Sequence, residues 1–446
     1  MPVALPRFAL AVTVLLLLGP PPARARQPRR ITLRVPAFTV PPNSDREICT
    51  FVGVPADQPY DIVEVAVANR HMPRGVRFTS HHFLLYAYTG KDVAAFAPYQ
   101  GKVKDSHACI DFGPTDTNNR VLLGGSQSPT SDQRDLPGLA QRVTPLDDGH
   151  GHRVLPFILN SHWINGSRRA HRASVLVRLT PAKPHTVRRL LAPIFAVTAN
   201  AALDIPPGTV RSTEDSTAAA NAALAQLHIG IRLDDAWGPG MPDLGAAFGG
   251  APIPTGPVCV TYLTGHMHKR GEVFAIDWIG SDGLPHNEEL GVPLLPNPAD
   301  PSRLHPYVAT DYTDMGSLTF KTPKLVRPGE RFHYACWQDN GVRTAQKLGC
   351  EEEPGKRPGR SIIQVLGKNA ESGAAKRCTT PGPDPAECPA TDPAYPGRTF
   401  TGNCVPANLV FGFTSDDEMC IMPGAYYDAV PGAADPCDVS TLPVIN

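Results

Sequence analysis

Phe78-Thr79-Ser80-His81-His82-Phe83-Leu84-Leu85-Tyr86 is a short apolar and aromatic run of strand-like length, with two adjacent histidines at its centre. It lies within a longer run from Val76 to Tyr88, and runs of the same kind recur on both sides of it, at Ile31 to Val40, Ile62 to Val67, Val154 to Ile164 and Ala173 to Leu179, separated by turn clusters. Among 446 residues there are 39 glycines and 49 prolines, which is high for a helical protein and suits short strands joined by many turns. The pattern predicts an all-β chain. Its length exceeds what one core usually serves, which predicts two domains with long loops.

Thr180-Pro181-Ala182-Lys183-Pro184 reads as the crossing between them, because its two prolines forbid a continuing strand or helix. The expected domains run from 28 to 180 and from 185 to 446. Strand patterning returns at Ile194 to Val197, Val258 to Leu263, Val273 to Trp278, Phe332 to Trp337, Leu409 to Phe413 and Gly424 to Tyr427. Ala218 to Leu227 is the best helix candidate. The stretch from about 350 to 404, rich in Pro, Gly and charge and holding Cys350, Cys378, Cys388 and Cys404, reads as a stapled excursion from the second domain.

The chain opens with Arg7, an apolar run from Phe8 to Gly19 and the small-residue site Ala23-Arg24-Ala25, the pattern of a secretory signal over residues 1–25. That run is too short for an ordinary membrane span, and none of sufficient length follows it, so no membrane anchor is expected. All ten cysteines lie beyond the cleavage site, an even number that favours disulfides in a secreted or periplasmic protein. Lys plus Arg equals Asp plus Glu at 42 each, which leaves no net field for nucleic acid or an acidic membrane surface. The expected partner is a small or neutral molecule.

Four features bear on chemistry. His81 and His82 would face opposite sides of a regular strand, one in the core and one at the surface; both bind one ion only where the strand is bulged or bent. His162, in Phe157-Ile158-Leu159-Asn160-Ser161-His162-Trp163-Ile164, alone reads as a core residue. His266-Met267-His268 places two imidazoles on one strand face, where they can grip copper, zinc or iron, with Met267 turned into the packing. Met419, in Asp416-Asp417-Glu418-Met419-Cys420, is either core filler or a soft ligand for copper(I). His107, His150, His152 and His333 read as surface or structural residues.

Taken in order, His-His before an apolar run, a single strand His, His-x-His and Glu-Met-Cys reproduce the ligand order of the ascorbate-dependent copper hydroxylases. The chain thus resembles the family of peptidylglycine alpha-hydroxylating monooxygenase and dopamine beta-monooxygenase. Leu179-Thr180-Pro181, Ile205-Pro206-Pro207-Gly208, Pro328-Gly329-Glu330 leading to Cys336, and Tyr426-Tyr427 extend the likeness thinly over residues 30 to 430.

The resemblance implies two antiparallel, jelly-roll-like β-sandwich domains facing each other across a solvent cleft. It assigns His81, His82 and His162 to an electron-storing copper in the first domain, and His266, His268 and Met419 to the catalytic copper in the second, where oxygen and substrate meet. The implied activity is hydroxylation of a substrate carbon–hydrogen bond with two copper ions, molecular oxygen and ascorbate as reductant. The alternatives are a copper carrier or buffer without turnover, and a structural two-sandwich protein that keeps its histidines as remnants.

The family's cysteine pattern favours Cys49 with Cys109 and Cys336 with Cys420. Pairing within Cys350, Cys378, Cys388 and Cys404 would leave Cys259 and Cys437 for one another. Where peptidylglycine hydroxylases hold a peptide carboxylate, this chain has Thr264, Ile421 and Pro423. The charge-assisted anchor is missing from those places, which points away from peptide amidation and toward a neutral or aromatic molecule, with Ile421 and Met422 lining the cleft. The excursion before Met419 either covers that cleft or is a remote surface loop. Asn165-Gly166-Ser167 fits a glycosylation sequon.

Overall fold

A computed structural model describes residues 30–340, 376–380, 403–406 and 409–445, apart from short stretches at 43, 71–77, 107, 110–111, 115–118, 128–129, 166, 168, 198–201, 207–208, 230–231, 242–248, 269 and 413–417. The signal segment, His107 and nearly all of the cysteine-rich excursion lie outside the described residues.

The chain is an all-β sandwich protein built from antiparallel sheets. In the first half, Ile31–Val40, His171–Pro181, Tyr60–Arg70 and Leu139–Val143 lie side by side in one sheet, and Ser44–Pro55, Arg153–Asn165, Phe78–Tyr88 and Arg120–Ser126 in another. Alternation drives this pairing: Ile31–Val40 buries Ile31, Leu33 and Val35 while Thr32 and Arg34 face solvent. Those side chains share one core with Phe83, Leu85, Phe157, Leu159 and Trp163 from the second sheet.

In the second half, Ala192–Ala196, Cys420–Asp428, Val258–Leu263 and Leu318–Val326 form one sheet, and Val210–Ser212, Arg331–Asp339, Gly271–Ile279 and Tyr307–Ala309 another. A second core joins Val258, Val260 and Leu263 to Phe274, Trp278 and Phe332. Met267 is fully buried in it, as its place on the strand predicts, and so is Met422, which does not line the cleft.

The helix spans Thr213–Gln226 and begins five residues before the alanine-rich stretch. Ser212 caps it in a reciprocal box with Asp215, which satisfies two backbone donors that an alanine run leaves open. The strand His171–Pro181 also runs further than the prolines predict. Its register shifts between Thr180 and Pro181, and an irregularity of that kind tolerates a residue without an N–H.

Three disulfides occur among the described residues: Cys49–Cys109, Cys259–Cys437 and Cys336–Cys420. In the excursion, the strands Lys376–Thr380 and Asn403–Pro406 pair with Cys378 opposite Cys404. Among the described residues no helix is long and apolar enough to cross a membrane. The Asn165 amide is buried and donates to the carbonyls of Val40, Pro41 and Arg169, so it does not present an open glycosylation site.

Candidate metal centre

Strand register assembles the first part of the site. His162 stands opposite Glu47 on one side and opposite His82 on the other, so the three form a row across neighbouring strands. The next pair is Trp163 with Ser80, which leaves His81 as the extra residue of a β-bulge. The bulge defeats the strict alternation of a strand. Both histidines are buried, and their rings lie 5.1 Å apart.

The second half contributes His266 and His268. The two-residue strand His266–Met267 pairs with Cys420 and Ile421, and the two imidazoles lie 5.2 Å apart, centroid to centroid. They reach across to the first half: His81 is 5.2 Å from His266 and 5.0 Å from His268, and His82 is 5.4 Å from His266. His162 is 5.1 Å from His81. A solvent cleft between two trios is therefore not what the structure has, because five imidazoles pack in one cluster at the junction of the halves.

Two overlapping groups in this cluster could hold metal ions. Candidate ligand atoms of His81, His82 and His266 lie within 4.8 Å of one another, and so do those of Glu47, His82 and His162. Neither group is one of the trios carried over from the resemblance. His268 belongs to neither, and Met419 lines the cavity that His82 and His266 also line, packed with Ile421, Phe195 and Val197.

Hydrogen bonds fix part of the chemistry. The Asn160 amide donates to Glu47 Oε1 at 2.8 Å, which orients its oxygen to accept from His82 Nε2 at 2.9 Å. Nε2 is then the donor nitrogen of His82, and in a neutral ring the lone pair sits on Nδ1. That Nδ1 is buried with no hydrogen-bond partner, and so are both ring nitrogens of His81. Glu47 Oε1 also accepts from the Ala108 N–H at 2.9 Å and lies 3.4 Å from His82 Nε2. From the first half, the Gln127 amide lies 2.7 Å from His266 Nδ1 and holds that ring in place.

Burial, then the mutual repulsion of neighbouring imidazoles, pushes His81 and His266 well below the ordinary histidine range. Both rings are neutral near pH 7, the state in which an imidazole lone pair can bind a metal; on His266 the Nδ1 lone pair accepts from the Gln127 amide, so metal binding there requires that amide to turn. Buried nitrogen atoms with no protein partner, on neutral rings gathered at one place, fit a transition-metal ion.

Glu418 ties the Met419 segment to the His-x-His segment. Its carboxylate accepts from the backbone N–H groups of Arg270 at 2.7 Å and His268 at 3.2 Å. Burial pushes its pKa up to about 8, against the lowering effect of those bonds.

The cluster opens on a cavity of about 540 Å³ lined by His82, His266 and Met419 and by apolar walls that include Leu84, Leu122 and Phe195. Thr264, Ile421 and Pro423 also line it, and none of them offers a charge. Elsewhere, His150 and His152 are exposed, and His333 sits among carboxylates in a separate ionic network.

Sequence reading missed Glu47, Asn160, Gln127 and Glu418. Glu418 stood beside a named ligand. Glu47 gave only the signal of an acid entering an apolar strand, and its partner could not be read without the register.

No protein-family model matches the chain, and no curated protein does. The likeness to the copper hydroxylases thus stands on the residues and their order alone.

Proposed function

We propose that this chain is a copper-dependent monooxygenase that hydroxylates a small substrate held in the cavity beside the imidazole cluster. The observation that carries the reading is His81: fully buried, with neither ring nitrogen bonded to the protein, among four other histidines. Copper, when bound, supplies one-electron chemistry linking ascorbate, oxygen and a substrate carbon–hydrogen bond. Overall, substrate, oxygen, two electrons and two protons become alcohol and water.

The chain's own residues do the remaining work. Asn160 and Glu47 set the His82 tautomer and orient its ring, the second layer of contacts that tunes a metal ligand. Gln127 fixes His266. Leu84, Leu122, Phe195 and Ile421 give the cavity an apolar wall against which a hydrocarbon part of a substrate can pack. Its volume falls in the range of small-molecule sites.

A second reading, copper storage without turnover, draws on the interleaving of all five rings in one buried pack. Copper stoichiometry, followed by ascorbate-dependent oxygen uptake with neutral, aromatic and carboxylate-bearing compounds, separates the two. Substrate-stimulated uptake that is lost in Met419→Ala, with copper still bound, supports the oxygenase. Copper uptake with no stimulated oxygen consumption favours storage, and failure to bind copper overturns both.

A further inference from the structure

Arg120, at the start of the strand Arg120–Ser126, is a buried guanidinium without a counter-ion among the described residues. It is 4% exposed, lines the cavity shared by His82 and His266, and stands 4.8 Å over the Tyr86 ring. Its Nη1 donates to the Ala108 carbonyl at 2.8 Å, while Nε and Nη2 are buried with no hydrogen-bond partner. Among the described residues none forms an ion pair with Arg120. Glu47 lines the same cavity but is engaged by Asn160 and the Ala108 N–H.

Ala108 and Cys109 hold left-handed conformations, with φ of +47° and +55°, and the Cys49–Cys109 disulfide clamps them. This kink turns the Ala108 N–H to Glu47 and its carbonyl to Arg120. Nη1 is thereby occupied, and the edge formed by Nε and Nη2 is left over. Two parallel N–H donors on one guanidinium edge match the two oxygens of a carboxylate.

A permanently charged, buried group with unused donors is costly unless something arrives to satisfy it. Resting on the reading of this cavity as the substrate site, we propose that Arg120 anchors the carboxylate of a substrate whose remainder is apolar. One guanidinium edge suits a planar monoanion. The other cation on the wall, Arg134, is exposed and paired with Glu64, so the second charge of a dianion would go without compensation. The anchor comes from the first half of the chain, whereas the places where the family resemblance would seek one hold Thr264, Ile421 and Pro423.

The test is direct binding, by calorimetry, to the metal-free full-length protein. The probes are phenylacetate, phenylpropionate and phenylbutyrate, each against its primary amide, which has nearly the same shape without the charge. At least one acid is expected to bind about tenfold or more tightly than its amide, with Arg120→Gln abolishing the difference and Arg120→Lys restoring part of it.

The comparison of acid with amide in the unaltered protein needs no variant, so a folding defect in Arg120→Gln does not blunt it. Equal binding of acid and amide, no binding of any acid, or an acid preference that survives Arg120→Gln overturns the proposal. Copper uptake measured on the same samples keeps the two readings apart. Acid selectivity without copper leaves the anchor and removes the oxygenase, and copper without acid selectivity does the reverse.

Discussion

Glu47 and His162 stand directly opposite each other on neighbouring strands, and the Glu47 carboxylate reaches on to His82 at 3.4 Å. A buried carboxylate beside two imidazoles strengthens their hold on a cation and opposes the repulsion among them. Glu47→Gln keeps an acceptor for Asn160 and the Ala108 N–H but removes the charge. It is expected to lower copper affinity by about 10- to 100-fold, read by chelator competition, with the fold retained. Unchanged affinity would place Glu47 outside the metal centre.

His81 gives the sharpest contrast between metal-free and metal-loaded protein. Without metal, two buried nitrogens lack partners, a burden of roughly 1–3 kcal/mol per group. His81→Leu is expected to leave the metal-free protein as stable as before or more so, because it replaces an unsatisfied ring with an apolar group. Added copper is expected to raise the thermal midpoint of the unaltered protein, and the same variant is expected to lose most of that rise. A variant that is less stable without metal and still gains fully from copper would show that His81 serves packing and not ligation.

The all-β architecture was legible because alternation and turn residues are local signals, as in Ile31–Val40, whose expected and observed bounds coincide. The six residues expected as ligands stood out only through their order along the chain, since no local property marks His162 or Met419. What stayed hidden was pairing. Nothing in the residues around Glu47 says that it falls opposite His162, and nothing around His81 announces the bulge that turns its ring to the same side as that of His82. The meeting of the two trios was hidden for the same reason, because contacts such as Gln127 with His266 join residues 139 positions apart.

The Cys336–Cys420 disulfide joins the strand Arg331–Asp339 to the residue that follows Met419. Replacing both cysteines with alanine removes the constraint on the segment whose Glu418 holds the backbone of His268 and Arg270. A loss of about 2–5 kcal/mol in denaturant unfolding is expected. Weakened copper binding should accompany it. Full stability with intact copper binding would mean that sheet pairing alone positions Met419.

His333 predicts a pH dependence separable from the metal centre. Burial alone would lower its pKa, but Asp235 at 2.9 Å, Glu214 at 3.4 Å and Asp277 at 4.0 Å outweigh that and push it up to about 9. A histidine whose folded pKa lies above its unfolded value of about 6.5 binds a proton more tightly when folded. Its contribution to stability is complete below pH 6.5 and is lost as pH rises through 9; the size expected is roughly 1–3 kcal/mol. Asp135, raised to about 7, and Glu418, raised to about 8, also lose stability as pH rises, because their carboxyls are held protonated longer in the folded state. The unaltered protein should therefore weaken from pH 6 to pH 9.5 for several reasons at once, and the difference between it and His333→Gln isolates one of them. Urea midpoints should separate the two proteins at pH 6 and bring them together near pH 9.5. A constant gap across that range would mean that His333 stabilises through packing or neutral hydrogen bonding and carries no charge in the fold.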